Sequence, residues 1–310
     1  MKTPIINRVA AVAPYCLALL LLASVSVTAA TNGTGFTWQY DAPHQQVTLT
    51  TEDMTVRVTT GGEVPHFLFW ATNTTGTPAP VTYHVQFHQL IEFNDTNDDG
   101  TYTPGTDIVA RPILSLAAIR WNFSGFITDQ EDDTTTAVHF NFTLEEVQGP
   151  GYDDLFVQLR VHMNASSPDE LKFDIVISGW PWAYPDTSLA LRWDLMVQLP
   201  GQHTYQHAHQ THYENRTCSF DGAYFSYRNT ANAGNTEVPV NSSIDEQTDR
   251  TRFYIVYPHF SDETLEHDPT IGLVAPTTPI PGDLVVLFVV GAGALACGVI
   301  AAFIIVRRRN

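Results

Sequence analysis

The sequence predicts an all-β protein, an antiparallel β-sandwich-like ectodomain carried between a signal peptide and one C-terminal transmembrane helix. Three observations predict it. Apolar and polar residues alternate with period two across residues 36–275, an uncharged and mostly apolar run fills residues 284–306, and a basic then apolar segment opens the chain.

Lys2 and Arg8 form a positive n-region, and residues 9–22 form an apolar h-region. Small residues follow in Ser26-Val27-Thr28-Ala29-Ala30, where Val27 and Ala29, or Thr28 and Ala30, suit the cleavage positions. Residues 1–30 therefore read as a removable signal peptide.

Residues 31–274 read as the all-β ectodomain. Val138, Phe140, Phe142 and Leu144 point one way, while His139, Asn141, Thr143 and Glu145 point the other. Leu155, Val157, Leu159, Val161 and Met163 repeat the pattern, and so do Leu171, Phe173, Ile175 and Ile177. Leu189, Leu191, Trp193, Leu195, Val197 and Leu199 continue it. Thr, Val and aromatic residues fill these runs, and Gly, Pro, Asn and Asp punctuate them. Such a pattern buries one face of each strand. No helical periodicity and no fixed repeat interrupts it.

Residues 275–283 hold three prolines and read as a stiff, extended stalk. Residues 284–306 are long enough to cross a bilayer as one helix, and Arg307, Arg308 and Arg309 follow as a cytoplasmic stop. Residues 307–310 read as a short cytoplasmic tail, and no intracellular signalling module is expected on it. The expected location is the cell membrane, single-pass and type I. Within the helix, Gly293 with Cys297 and Ala294 with Gly298 give two small-residue spacings that would support a weak homodimer, a lone anchor being the default.

Charge and cysteines narrow the function. Setting aside Lys2, Arg8 and the three C-terminal arginines leaves ten basic residues against thirty-three acidic ones, a net of −23. That surface repels phosphate backbones and excludes nucleic acid as a partner. Cys16 lies in the signal peptide and Cys297 in the membrane run, so Cys218 stands alone and no disulfide can form within the ectodomain. Stability must come from a large core, and Cys218 reads as a small buried residue.

The motif that carries chemistry is Asp95-Thr96-Asn97-Asp98-Asp99-Gly100-Thr101, with Asp107 further on. Asp95, Asn97 and Asp99 place oxygen ligands at every second residue, Gly100 permits a sharp turn, and Thr101 adds its backbone carbonyl. Calcium is the expected cofactor, through Asp95, Asn97, Asp99, Thr101 and Asp107. The loop departs from the EF-hand at its end, where Thr106 replaces the bidentate Glu, and its flanks read as strands. It resembles the EF-hand-like Asp-x-Asn-x-Asp-Gly loops of extracellular proteins, and the same residues also suit a plain turn between two strands.

A second metal-ligating set is His203, His207, His209 and His212, where His-x-His spacing on a strand presents both imidazoles on one face. The cluster also reads as a His-rich surface segment that titrates near neutral pH. Eight Asn-X-Ser/Thr sequons occur. Asn32, Asn73, Asn122, Asn141, Asn164, Asn215 and Asn241 are the expected glycosylation sites, while Asn94 abuts the acidic loop. The aromatics of Trp180-Pro181-Trp182-Ala183-Tyr184-Pro185 suit a sugar-stacking platform or, more simply, a proline-shaped corner packed on the sandwich edge. No nucleophile elbow, phosphate loop or nucleotide fingerprint occurs, so no enzyme activity is expected.

The order Thr277-Thr278-Pro279-Ile280-Pro281-Gly282, apolar run, then three arginines resembles the tails of archaeal cell-surface glycoproteins, although Asp283 stands where those tails carry Phe. The run from Glu92 to Asp107, with Ser178-Gly179-Trp180-Pro181 and Ser188-Leu189-Ala190-Leu191, is similar to an uncharacterised group of Asgard-archaeal surface proteins. These resemblances imply surface residence and no particular activity. The expected function is display of a calcium-loop-bearing sandwich for envelope structure, adhesion or recognition, with a surface protein or a glycan as ligand. The alternatives are an envelope enzyme acting on glycans and a surface transition-metal-binding protein.

Overall fold

The computed structural model describes residues 26–29, 36–62, 64–72, 81–132, 134–147, 151–214, 216–220 and 222–274. The expected leader core, stalk, transmembrane run and tail lie outside the described residues, as do Asn32, Asn73 and Asn215. Among the described residues no helix is long and apolar enough to cross a membrane.

Two antiparallel sheets make up the fold. Sheet one runs Ser26–Ala29, Thr37–Asp41, Gln46–Thr50, Met54–Thr59, His66–Ala71, Thr82–Asn94, Ser188–Gln198, Thr251–Tyr257 and Asn241–Glu246. The first six strands are a meander, and Ser188–Gln198 returns from sheet two to pair with Thr82–Asn94. Ser26–Ala29, where the leader's cleavage positions were read, pairs with Thr37–Asp41 at the edge. Sheet two runs Gln210–Glu214, Thr217–Phe220, Ala223–Ser226, Thr270–Leu273, Ser167–Ser178, Phe156–Asn164, Thr134–Leu144 and Trp121–Glu131. The all-β, sandwich-like expectation holds. Its only helical turn among the described residues is the 3-10 segment Leu116–Ala118.

The alternating residues meet between the sheets. Phe67 of sheet one lies edge-on to Phe142 and Phe173 of sheet two, with ring centroids 6.0 and 4.9 Å apart. Trp193 stacks on Phe253 at 4.2 Å and meets Phe225 of the opposite sheet at 4.5 Å. Edge-to-face and offset pairs of this kind stabilise beyond their buried area. Cys218 is buried among them, and burial pushes its thiol up to about 12, so it behaves as an inert core residue.

Sheet one departs from one-sided burial. A register shift pairs Arg192 with Gln89 but Trp193 with Phe87, leaving His88 as a bulge. A one-residue offset exchanges the faces beyond it. Leu90 therefore joins the inner row of Val85 and Phe87, while Ile91 and Phe93 turn to the outer face. There they form a small second core with Tyr102, Ala190, Tyr254 and Val256.

His267 ends the short strand Leu265–His267, which pairs with Ser167–Ser178 in sheet two, and is only 1% exposed. Its Nε2 lies 2.9 Å from the Arg228 carbonyl and its Nδ1 3.2 Å from the Tyr257 hydroxyl. A neutral ring satisfies both, donating through Nε2 and accepting at Nδ1. Burial pulls its pKa down to about 4. Above about pH 6.5 both folded and unfolded states are neutral here; between about 6.5 and 4 only the unfolded state takes up the proton. Stability therefore falls as pH drops through that window, by about 3 kcal/mol from this residue, and levels off below it. His84, pulled to about 4 by burial and by the neighbouring His66, acts in the same direction. Melting temperatures between pH 7 and pH 4 should decline less steeply in His267→Gln than in the unaltered chain; equal slopes would refute the assignment.

Candidate functional site

The acidic loop follows the strand Thr82–Asn94, and its shape is set by side chains reaching back to the main chain. Asp95 accepts the Asp99 amide on Oδ1 at 3.3 Å and the Gly100 amide on Oδ2 at 2.6 Å. Asp99 accepts both the amide and the hydroxyl of Thr101 on Oδ1, each at 2.7 Å, and the Asn97 amide group on Oδ2 at 2.7 Å. The Thr101 hydroxyl, then its backbone amide, holds the Asp99 carboxyl below the usual range. Asp98 and Gly100 adopt left-handed backbone, φ 59° and 74°. Gly100 has a second constraint, because a Cβ there would lie 2.7 Å from Asn241 Nδ2.

Asp107 closes the loop, and its carboxylate does not converge with those of Asp95 and Asp99. Its Oδ1 accepts from the Thr96 amide at 3.1 Å and its Oδ2 from the Thr103 amide at 2.6 Å, and the residue is only 8% exposed. The structure thus gathers Asp95, Asn97, Asp99 and Thr101 on one turn and uses Asp107 as its clasp. A cation here would draw on the lone pairs of Asp95 and Asp99 not used by the amides, with the Asn97 and Thr101 oxygens.

The loop is fastened to the outer face of sheet one. Tyr102 packs edge-on to Phe93 at 4.9 Å and to Tyr254 at 5.0 Å. Ser243 Oγ donates to the Tyr102 carbonyl at 2.6 Å, and Asn241 Nδ2 donates to the Gly100 carbonyl at 3.0 Å. The nitrogen that would carry a glycan at Asn241 therefore holds the loop. Asn164 is exposed and Asn141 half-buried on the outer row, the side on which period-two alternation puts them, and Asn122 is exposed as well.

The Trp180–Pro185 segment forms a corner, not a stacking platform of two tryptophans. Trp180 is buried and donates through Nε1 to Glu92 at 3.1 Å; Trp182 packs on Phe260 at 5.0 Å; Tyr184 remains exposed. Gly179 opens the corner at φ 65°, with a Cβ there running into the Asp154 carbonyl.

The structure divides the histidines. His207 and His209 come together with Glu246, one donor atom from each lying within 4.8 Å of the others. His203 and His212 are exposed and fall outside this group. Among the described residues it is the one convergence of three His, Cys, Asp or Glu donors. Glu246 escapes the sequence reading because it lies on a different strand.

One further arrangement was also missed. On the outer face of sheet two, Asp129 Oδ2 meets His139 Nε2 at 3.0 Å, His139 Nδ1 meets His162 Nδ1 at 2.6 Å, and His162 Nε2 meets Asp174 Oδ2 at 2.8 Å. The four side chains thus form one continuous chain, a carboxylate at each end and two imidazoles between. Beside it lies a cleft of about 520 Å³ lined by His162, Lys172, Asp174, Arg228, Asp268 and neighbours. Burial, then Asp174, raises the Asp268 carboxyl above its ordinary range.

No protein family and no curated protein matches the sequence. Among solved structures, the chain is similar to the heparan sulfate lyase HepC from Pedobacter heparinus at a TM-score of 0.35 and 9% identity, over 81% of this chain. The chain spans 37% of the length of that structure.

Proposed function

We propose that this chain is a single-pass cell-surface glycoprotein that displays its β-sandwich outside the cell for envelope structure, adhesion or recognition, with calcium ordering the Asp95–Asp107 loop. One observation carries the calcium part. Main-chain amides hold the Asp95 carboxylate against the turn, and Asn241 and Ser243 tie that turn to the edge strand Asn241–Glu246. A cation added there stiffens a surface already joined to the fold, so its binding reaches the stability of the whole domain. The net charge of −23 on the displayed part raises the local cation concentration.

Calorimetric titration of the full-length chain with calcium, against Asp95→Ala plus Asp99→Ala, tests this reading. One equivalent should bind with a Kd of about 10⁻⁴–10⁻³ M, as in extracellular modules. Calcium at about ten times that Kd should add about 1.4 kcal/mol, and the double variant should lose both effects. Unchanged heat and melting temperature in the unaltered chain would sink the calcium site.

A second reading, an envelope enzyme acting on glycans, has one observation in its favour: His162, held by Asp174, lines the cleft on sheet two. A glycan array run beside a hydrolysis assay separates the two. Binding without turnover favours display; turnover that disappears in His162→Gln favours the enzyme.

A further inference from the structure

Two imidazoles and a carboxylate meet at the edge of sheet one, and their chemistry differs from that of the acidic loop. His207 ends the short strand Gln206–His207, which pairs with Ser188–Gln198 through Met196. Ala208 is buried and its carbonyl accepts the Thr251 hydroxyl at 2.7 Å, which pins the chain between the two histidines. Glu246 is the last residue of Asn241–Glu246 and pairs across the ladder with that same Thr251. Thr251 therefore fixes all three backbones relative to one another.

We propose that His207, His209 and Glu246 bind a borderline divalent metal ion of the zinc, copper or nickel class. Imidazole nitrogen suits these ions, whereas calcium selects oxygen. His209 Nδ1 lies 3.9 Å from Glu246 Oε1, and the full set of donors spans no more than 4.8 Å. Zinc bonds of about 2.0–2.2 Å in tetrahedral geometry place donors about 3.3–3.6 Å apart, so small side-chain rotations on a fixed backbone complete the site.

The surroundings favour a cation. His207 Nδ1 faces the Thr248 carbonyl at 3.4 Å, and that acceptor favours the tautomer with its proton on Nδ1 and Nε2 as the metal donor. Glu246 Oε1 accepts the Gln210 amide at 3.3 Å, which orients the carboxylate. The nearest arginines in sequence are paired elsewhere: Arg250 with Asp249 and Asp194, and Arg252 with Asp245. Three protein ligands leave a fourth position for water or an external donor. The site is independent of the calcium reading.

Titration of the full-length chain with cobalt(II), followed by its ligand-field absorption, reads the donor set without any variant. Zinc competition then gives the affinity. One equivalent should bind and should resist displacement by millimolar calcium. Zinc affinity should fall at least tenfold in each of His207→Asn, His209→Asn and Glu246→Gln, with metal-free melting temperatures unchanged. His203→Asn plus His212→Asn should bind like the unaltered chain. Absence of saturable cobalt bands, displacement by calcium, unchanged affinity in Glu246→Gln, or loss in the His203/His212 pair would each overturn the proposal.

Discussion

Replacing Glu92 with Ala should lower stability by about 4 kcal/mol, and Glu92→Gln by about 1–2 kcal/mol. Glu92 is fully buried, and its carboxylate is the acceptor for a whole loop. Oε1 takes the Thr187 hydroxyl at 2.6 Å and the amides of Ala183 and Tyr184 at 2.8 and 3.4 Å, while Oε2 takes Trp180 Nε1 at 3.1 Å. Alanine strands these donors, and each buried donor left without a partner costs about 1–3 kcal/mol before relaxation. Glutamine can keep its oxygen at the Oε1 position, so only Trp180 faces an amide group and loses its acceptor. The order of the two variants is the diagnostic part. At about 2–4 °C per kcal/mol, Glu92→Ala should melt roughly 10 °C lower. Trp180→Phe should erase most of the cost of Glu92→Gln. An alanine variant within about 1 kcal/mol of the unaltered chain would show that water replaces the carboxylate, contrary to this account.

Glu92 also illustrates what a single sequence conceals. Strand positions were legible because burial of one face forces period two, and the inner rows from Val138 to Leu144 and from Leu171 to Ile177 are buried as read. Period alone does not reveal an insertion of one residue. The bulge at His88 moves Glu92 to the inner row and sends Ile91 and Phe93 outward, where Tyr102 of the acidic loop covers them. That exchange makes the loop part of a packed surface.

Site residues were legible where they are local. Asp95, Asn97 and Asp99 are neighbours in the chain, and the turn they make follows from Asx chemistry and Gly100. Glu246 joins His207 and His209 only through the strand pairing of Thr251 and the bond from Thr251 to Ala208. His139 and His162 meet because the register of Thr134–Leu144 on Phe156–Asn164 makes them partners. Registers arise from long-range pairing, and no spacing within one segment encodes them.

Asp194→Ala should destabilise by about 3–5 kcal/mol, and the reason lies in how this acidic chain uses its few cations. Asp194 is on the outer face of sheet one yet wholly buried. Arg192 grips it through Nε and Nη2 at 2.8 and 2.7 Å, Arg250 adds Nη1 at 3.0 Å, and His88 Nε2 lies at 3.7 Å. Removing the carboxylate leaves Arg192, whose side chain is 11% exposed, with Gln89 as its remaining partner. Arg250 keeps Asp249, the first cause of its raised pKa, and is more exposed, so it contributes less to the loss. The cost is mainly that of an uncompensated guanidinium, so removing both charges should restore much of it. Asp194→Leu with Arg192→Leu is therefore expected to be more stable than Asp194→Ala alone. The exposed pair Arg120–Glu145 provides the contrast, since its removal should change stability by under about 1 kcal/mol and vanish in high salt. Equal losses in the single and double variants at Asp194 would mean that packing, not charge, holds this face. In that case His88 and its bulge, rather than the arginines, would be the feature that keeps Asp194 covered.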